Sequence, residues 1–450
     1  MAFLKLSSTN PNFSYVIEKN PSSPMIIKKN LSGFLFGWYN STEQGKETYC
    51  IHFKDGYSLP SYRKHQDDKG EYLNTSQYDN PRFVCDAISN LLHSARENKH
   101  SYLENGQDYD QPFFHSIEIS SFRTHEKTLD IFKKYFTNFS IRTLSLKDKI
   151  NGLNIPDVFT VHINNLTPIT LSEFLKVINI LGIFGALNSK DYIYIKDGLA
   201  AKYLRLASEV NAPYFIRYLM KLNFLRSERR FKELKPLLES NTNGESYNFV
   251  EGDTHEARIN FIKSHVTQPL TIIDIGSGKD YRYIKAFTNF ILKNNIKYYS
   301  IERDEEALEE IKHGIRKREL ENNVEVFPSL TKFLKEKRIK EKCYVICSEV
   351  LEHNELNESK GLVKEIIDSN LNFEKIVITV PNKEFNKNYA MTSEFRHYDH
   401  KWELSFEDFV KEFQPVVEQA KSSSTSFIGI GDSVNNVNVS TALILEYANI

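Results

Sequence analysis

From Thr271 onward the sequence alternates between two textures. TIIDIGSG is an apolar run that closes on glycines, and YRYIKAFTNFILKNN follows at helical spacing. KYYSIERD and the helix-like EEALEEIKHGIRKREL repeat the pair. CYVICSEV, LVKEIIDSN and KIVITVPN continue the series, and STALILEYA ends it as a last strand. One short apolar run is ambiguous between strand and buried helix, but regular interleaving with helical segments is not. It implies a parallel sheet covered by helices on both faces. Such sheets hold ligands at the carboxyl ends of their strands, so the residues that follow each strand are where chemistry is sought.

A chain of 450 residues is too long for one ordinary core. The segment from Glu239 to Asp253, ESNTNGESYNFVEGD, is polar and rich in Asn, Gly and Ser. Residues 1–240 are therefore expected as a first domain, 241–253 as a linker and 254–450 as a second domain. In the first half, MIIKK, GFLFGWY and TYCIHF read as strands, whereas Pro81 to Ala95, Leu171 to Leu187 and Ala212 to Leu238 have helical spacing. The fold class is α/β, a Rossmann-like domain preceded by an α+β domain. Leu171 to Leu187 is interrupted by Glu173 and Lys176 and is read as a core helix rather than a membrane span. The four cysteines form no CxxC pair and the N-terminal stretch MAFLKLSSTN is not a signal peptide, which together point to the cytoplasm. The net charge of −1 offers no global attraction for nucleic acid, so contacts to RNA would have to be local. The basic run LRSERRFKELK (Arg226, Arg229, Arg230, Lys232, Lys235) is such a patch in composition, but it reads better as a solvated helix face.

Asp274-Ile275-Gly276-Ser277-Gly278 ends a strand and opens a helix. Glycines there let the backbone approach a ligand closely. Glu302 ends the next strand, where a carboxylate can accept both hydroxyls of a nucleoside ribose. Together they favour a nucleoside-type cofactor. Glu349-Val350-Leu351-Glu352-His353 follows the strand CYVIC. In a helical turn its two carboxylates and imidazole would share one face, which makes a metal site in place of a solvated acidic turn. Further on, Phe395-Arg396-His397-Tyr398-Asp399-His400-Lys401-Trp402-Glu403 packs two histidines, an aspartate and an arginine into five residues.

The acid followed by Gly-x-Gly resembles the first motif of class I methyltransferases. A third glycine, usual in nicotinamide-binding folds, is replaced by Asp280. The later segments resemble one narrow family, the metal-dependent 3′-terminal ribose 2′-O-methyltransferases. That family shows E-x-x-E-H, T-x-P-N-x-E-[FY]-N and F-R-x-x-D-H-x-[FW]-E, which here are Glu349–His353, Thr379–Asn386 and Phe395–Glu403. Plant and animal members act on small RNAs, and bacterial members act in RNA repair beside a polynucleotide kinase-phosphatase-ligase. Phe83 to Ala95, Leu171 to Leu206 and Tyr214 to Leu238 look like the N-terminal domain of the bacterial type.

The resemblance implies that S-adenosylmethionine is the methyl donor, bound by Asp274, Gly276, Ser277, Gly278, Glu302 and Ser329. It implies a divalent metal on Glu349, Glu352, His353 and His400, with His397 at a variable position. A mixed oxygen and nitrogen set suits manganese better than magnesium. The cation would chelate the 2′- and 3′-oxygens and polarise the 2′-hydroxyl, with His353 or His397 taking the proton and Arg396 meeting a phosphate or the cofactor carboxylate. The partners expected are an RNA with a free terminal 2′,3′-diol and a kinase-phosphatase-ligase. The rival reading is a catalytically inactive, partner-binding protein that keeps the methyltransferase fold.

Overall fold

The computed structural model describes residues 2–29, 33–40, 47–55, 80–145, 157–188, 195–391, 393–418 and 423–447. The chain divides into two units: Met1–Met220 with Ser240–Asn243, and Lys221–Glu239 with Gly244–Ile450.

The first unit holds the strands β1 (Ala2–Ser8), β2 (Ile26–Lys29), β3 (Gly33–Asn40), β4 (Glu47–Asp55), β5 (His115–Arg123), β6 (Phe139–Ser145) and β7 (Val158–Asn165). They form one antiparallel sheet in the order β2-β3-β4-β1-β5-β7-β6. The helix Leu171–Leu187 begins at Thr170, whose hydroxyl accepts the Glu173 N–H at 3.1 Å. It is apolar nearly all round because it is buried nearly all round. No helix among the described residues is long and apolar enough to cross a membrane. The helical stretch 82–96 is broken at Leu92, and the stretch 212–238 splits into Tyr214–Phe224 and Glu228–Glu239. The four cysteines are buried thiols without a disulfide.

The second unit carries β8 (Tyr247–Asn248), β9 (Thr271–Ile275), β10 (Tyr298–Ile301), β11 (Val324–Phe327), β12 (Cys343–Ser348), β13 (Phe373–Pro381), β14 (Ser423–Val434) and β15 (Val437–Tyr447). Their order is β11-β10-β9-β12-β13-β15-β14-β8. The strands from β9 to β13 pair in parallel, while β15, β14 and β8 are antiparallel. The sheet is thus mixed, a Rossmann-like core extended by an antiparallel hairpin that strand-helix alternation alone does not announce. Alternate residues of each central strand fall into two cores, one per face. Ile273, Val345 and Ile378 lie on one side, and Ile272, Ile346 and Val377 on the other. Each fully buried aliphatic side chain contributes roughly 1.5–3 kcal/mol, which is why such strands read as continuous apolar runs.

The helix Glu228–Glu239 belongs to this second unit although it precedes the polar segment. Its Phe231 and Leu238 are buried, and Glu239 accepts the Phe249 N–H at 2.7 Å. The expected linker 241–253 itself supplies the edge strand β8. Val250 N–H and the buried Lys221 ammonium both donate to Asp432, at 2.9 and 2.8 Å. Along the basic run, Arg229 pairs with Glu233, Lys232 with Glu228 and Lys235 with Glu239, the pattern of a solvated helix face.

The strand order reverses between β9 and β12, so the carboxyl ends of β9, β10, β11, β12 and β13 surround the switch point of the sheet.

Candidate active site

After β9 the chain turns through Gly276 (φ +75°) and Gly278 (φ +64°). Gly276 must be glycine on two counts. Its φ is left-handed, and a Cβ there would meet Val350 Cγ2 at 2.3 Å. With Asp280 in place of a third glycine, the next left-handed residue is Tyr281, at φ +38° just ahead of the helix Arg282–Asn294. Glu302 follows β10, and its carboxylate accepts the Gly278 and Asp304 N–H groups at 2.8 and 3.0 Å. Ser329 follows β11 and caps the helix Leu330–Glu336.

A cleft of about 900 Å³ opens at these strand ends. Gly276, Gly278, Glu302, Ser329, Glu349 and His353 all line it. Its size suits a nucleoside-type ligand. Asp274 does not reach the cleft. Its side chain is buried, and Oδ2 accepts from Ser277 Oγ at 2.8 Å and Tyr298 Oη at 2.7 Å. Burial pushes its carboxyl up to about 6, against the pull of those hydroxyls. Ser277 in turn accepts from Ser300 at 2.8 Å. Asp274 and Ser277 therefore brace the glycine turn from beneath; the expectation that Asp274 presents an acceptor directly to the cofactor gives way to this bracing.

The turn after β12 also departs from the expected helical face. Glu349 sits at φ +57°, and only Leu351–His353 form a single 3₁₀ turn. The Glu349 carboxylate is taken up by donors from other elements. Its Oε2 accepts from Arg258 at 2.7 Å, and Thr379 Oγ1 donates to its Oε1 at 3.3 Å. Arg258 comes from the helix Thr254–His265, far away in sequence.

Glu352, His353 and His400 do converge: one ligand atom from each lies within 4.8 Å of the others. Glu352 is fully buried, and neither carboxylate oxygen has a hydrogen-bond partner. Burial and the negative charge of Glu349 push its pKa well above the ordinary carboxylate range. The two imidazoles are oriented from behind. His400 Nδ1 lies 2.6 Å from Glu403 Oε1, and His353 Nδ1 lies 2.9 Å from Asp399 Oδ2. An ionised carboxylate only accepts, so each Nδ1 is the donor, which leaves Nε2 as the ring nitrogen that could bind a metal. Burial lowers the His353 pKa despite the pull of Asp399, so its ring is neutral at pH 7, as a ligand must be. Burial works against ionisation of Glu403, but hydrogen bonds from His400, Asn386 and Arg396 hold its pKa below the ordinary value. A buried carboxylate without donors beside two oriented imidazoles fits a divalent cation.

His397 stands just outside this group. Its side chain is 53% exposed, its Nδ1 is bonded to Asp399 Oδ1, and its ring centroid lies 5.8 Å from that of His400. Arg396 has a different occupation from the one expected. Its Nε donates to Asn386 Oδ1 and its two terminal nitrogens to the Val439 and Asn382 carbonyls, at 2.6, 2.8 and 2.6 Å. In this structure it is a strut for the loop. Three contributors escaped the sequence reading: Arg258, Asp399 and Glu403. Asp399 and Glu403 lay inside a recognised segment and could have been suspected as partners of the histidines; nothing in the sequence ties Arg258 to Glu349.

Residues 3–243 match the family of the Hen1 N-terminal domain. A search of curated proteins returns no matching relative. Among solved structures, the chain is similar to one chain of a Pnkp1/Rnl/Hen1 RNA repair complex, with TM-score 0.76 and 22% identity over 99% of this chain and 100% of that one. A second structure of a Pnkp1/Rnl/Hen1 complex gives TM-score 0.73 at 22% identity, again over 99% of this chain and 100% of that one.

Proposed function

The chain belongs to the Hen1 family, and from that premise we propose that it transfers a methyl group from S-adenosylmethionine to the 2′-hydroxyl of the 3′-terminal ribose of an RNA. Glu352, His353 and His400 would hold a divalent metal, manganese in preference to magnesium, and Glu349, which lines the same cleft as His353 and is paired with Arg258, would complete the set. The observation that carries this reading is Glu352. A buried carboxylate with no donor on either oxygen is costly, and a cation between it and two imidazoles removes the cost. When bound, that cation would polarise the 2′-oxygen and align the vicinal hydroxyls.

The rest is the work of the chain itself. Glu302 would take the cofactor ribose, and the glycine turn would let the backbone approach the methionyl part. With Nδ1 donating to Asp399 and the other ring nitrogen given to the metal, His353 would have no lone pair left for a proton. His397, tied to the same Asp399 through Nδ1 and outside the cluster, has an Nε2 that no metal would occupy and is the better base. Asp399 would then stabilise the imidazolium that forms. The solved RNA repair complexes support extending to this chain a setting in RNA repair beside a kinase-phosphatase-ligase.

The test is one oligonucleotide presented with four ends in Mn²⁺ and S-adenosylmethionine. Methylation is expected on the 2′,3′-diol, with a large loss on a 3′-deoxy end and none on 3′-phosphate or cyclic phosphate. Equal rates on diol and 3′-phosphate ends, or a methyl group located on a base or an internal ribose, would overturn the reading.

A further inference from the structure

The loop that carries His397 and His400 also carries the most exposed large hydrophobic side chain among the described residues: Tyr398 is 93% exposed. A bare aromatic on a loosely held loop would mean little, but this loop is pinned. Arg396 anchors its start through three guanidinium bonds and its own N–H, which donates to Glu403 at 2.7 Å. Asp399 bridges His353 and His397. The Lys401 N–H donates to the Glu352 carbonyl at 2.7 Å, and Trp402 Nε1 to the Asn354 carbonyl at 3.0 Å. The Tyr398 backbone is thus held in place while its ring stands in water, which costs free energy unless something covers it.

What covers it is suggested by the spacing of the rings. The Tyr398 centroid is 4.5 Å from that of His397, and His397 is 5.8 Å from His400. A terminal ribose whose 2′- and 3′-oxygens face Glu352, His353 and His400 carries its base one sugar ring away, a reach of the same order. We infer that Tyr398 stacks on the 3′-terminal nucleobase of the RNA and so steadies the terminal ribose over the cluster. The inference rests on the function proposed above. Stacking on a tyrosine face uses the π-surface every base has, so it positions the end without selecting its sequence.

The test uses the full chain with Mn²⁺, S-adenosylmethionine and two RNAs, one intact and one abasic at the 3′-terminal nucleotide. For Tyr398→Ala, the KM for intact RNA rises about tenfold. The KM for S-adenosylmethionine stays the same, and Tyr398→Phe and Tyr398→Trp retain the wild-type KM for RNA. The abasic end raises the wild-type KM by a similar factor and adds nothing further in Tyr398→Ala. A second readout needs no methyl transfer. 2-Aminopurine at the terminal position is quenched on binding to wild type and Tyr398→Phe but not to Tyr398→Ala. Quenching without methylation would support the stack and sink the methyltransferase reading. Methylation with equal RNA KM in wild type and Tyr398→Ala, penalties that add, or an abasic effect coupled to Tyr398 only at the penultimate nucleotide would overturn the stack.

Discussion

Asp274 and Glu352 are both carboxylates buried in the second unit, 1% and 0% exposed. Asp274, in β9, receives two hydroxyl donors on one oxygen and has its pKa raised to about 6. Glu352, after β12, receives none, and its pKa is raised further still by burial and Glu349. The same burial problem has two solutions. At Asp274 the chain supplies its own donors, and the carboxylate becomes part of the scaffold that shapes the glycine turn. At Glu352 the donors are withheld, while the two imidazoles that converge on it are oriented by Glu403 and Asp399. An acid satisfied internally is architecture; one left unsatisfied among oriented ligands is a binding site.

The sharpest way to break this contrast is to neutralise Glu352. Glu352→Gln should lower methyl transfer by about a thousandfold or more, because it removes an anionic metal ligand. It should also leave the metal-free protein as stable as wild type, or more stable by about 1–3 kcal/mol, because an unpaired buried carboxylate is gone. Thermal unfolding with and without Mn²⁺ checks both halves. Wild type should gain in Tm with Mn²⁺ and the variant should not. A variant that still methylates, or that is markedly less stable without metal, would show that Glu352 is architecture too.

A smaller effect is expected one layer out, at Glu403→Gln. The amide still accepts from His400 but is no longer anionic, so the imidazole becomes a weaker donor to the metal. The Mn²⁺ concentration for half-maximal activity should rise by about 10–100-fold, with the rate at saturating Mn²⁺ much less affected. An unchanged Mn²⁺ requirement would separate Glu403 from the metal site and leave it as an anchor for Asn386 and Arg396.

The difference between the two carboxylates also marks what the sequence could reveal. Alternation made the parallel strands legible, because strands buried on both faces are written as continuous apolar runs. The glycine turn and the acidic segment were legible because each follows a strand end, and the histidine segment because two histidines, an aspartate and an arginine crowd into five residues. The antiparallel strand β14, SSTSFIGIGDSV, was not: it carries two glycines and few consecutive apolar residues, and its place comes from pairing with β15. The divergence of Glu349 was not legible either. A left-handed φ at a glutamate has no sequence mark, and its partner Arg258 arrives from another helix. The bonding of Arg396 was not legible for the opposite reason: a lone arginine beside histidines suggests an anion, whereas its acceptors here are mostly backbone carbonyls that no sequence pattern names.

The smallest effect belongs to the satisfied acid, and its sign distinguishes scaffold from site. Both donors of Asp274 reach one oxygen, Oδ2, so an asparagine can keep them on its amide oxygen. Asp274→Asn should therefore raise the KM for S-adenosylmethionine by no more than about tenfold, the worth of one hydrogen-bonded brace, and leave the Mn²⁺ requirement unchanged. Its stability should differ from wild type in a pH-dependent way. The folded pKa of about 6 lies above the unfolded value, near 3.9, so the folded state binds this proton more tightly. The stability it contributes is complete below the unfolded value and is lost as pH rises through about 6. Asparagine does not titrate. The variant should thus gain on wild type as pH rises from about 4 to 7, by at most about 3 kcal/mol. Native-state amide exchange across β9 and β10 reads this in the second unit alone, whatever the first unit does at the same pH. A stability difference that does not move in the variant's favour as pH rises would mean that the acid is ionised in the fold at no cost. Asp274 would then be a site residue whose partner is still to be found, and the distinction drawn from Glu352 would rest on hydrogen bonds alone.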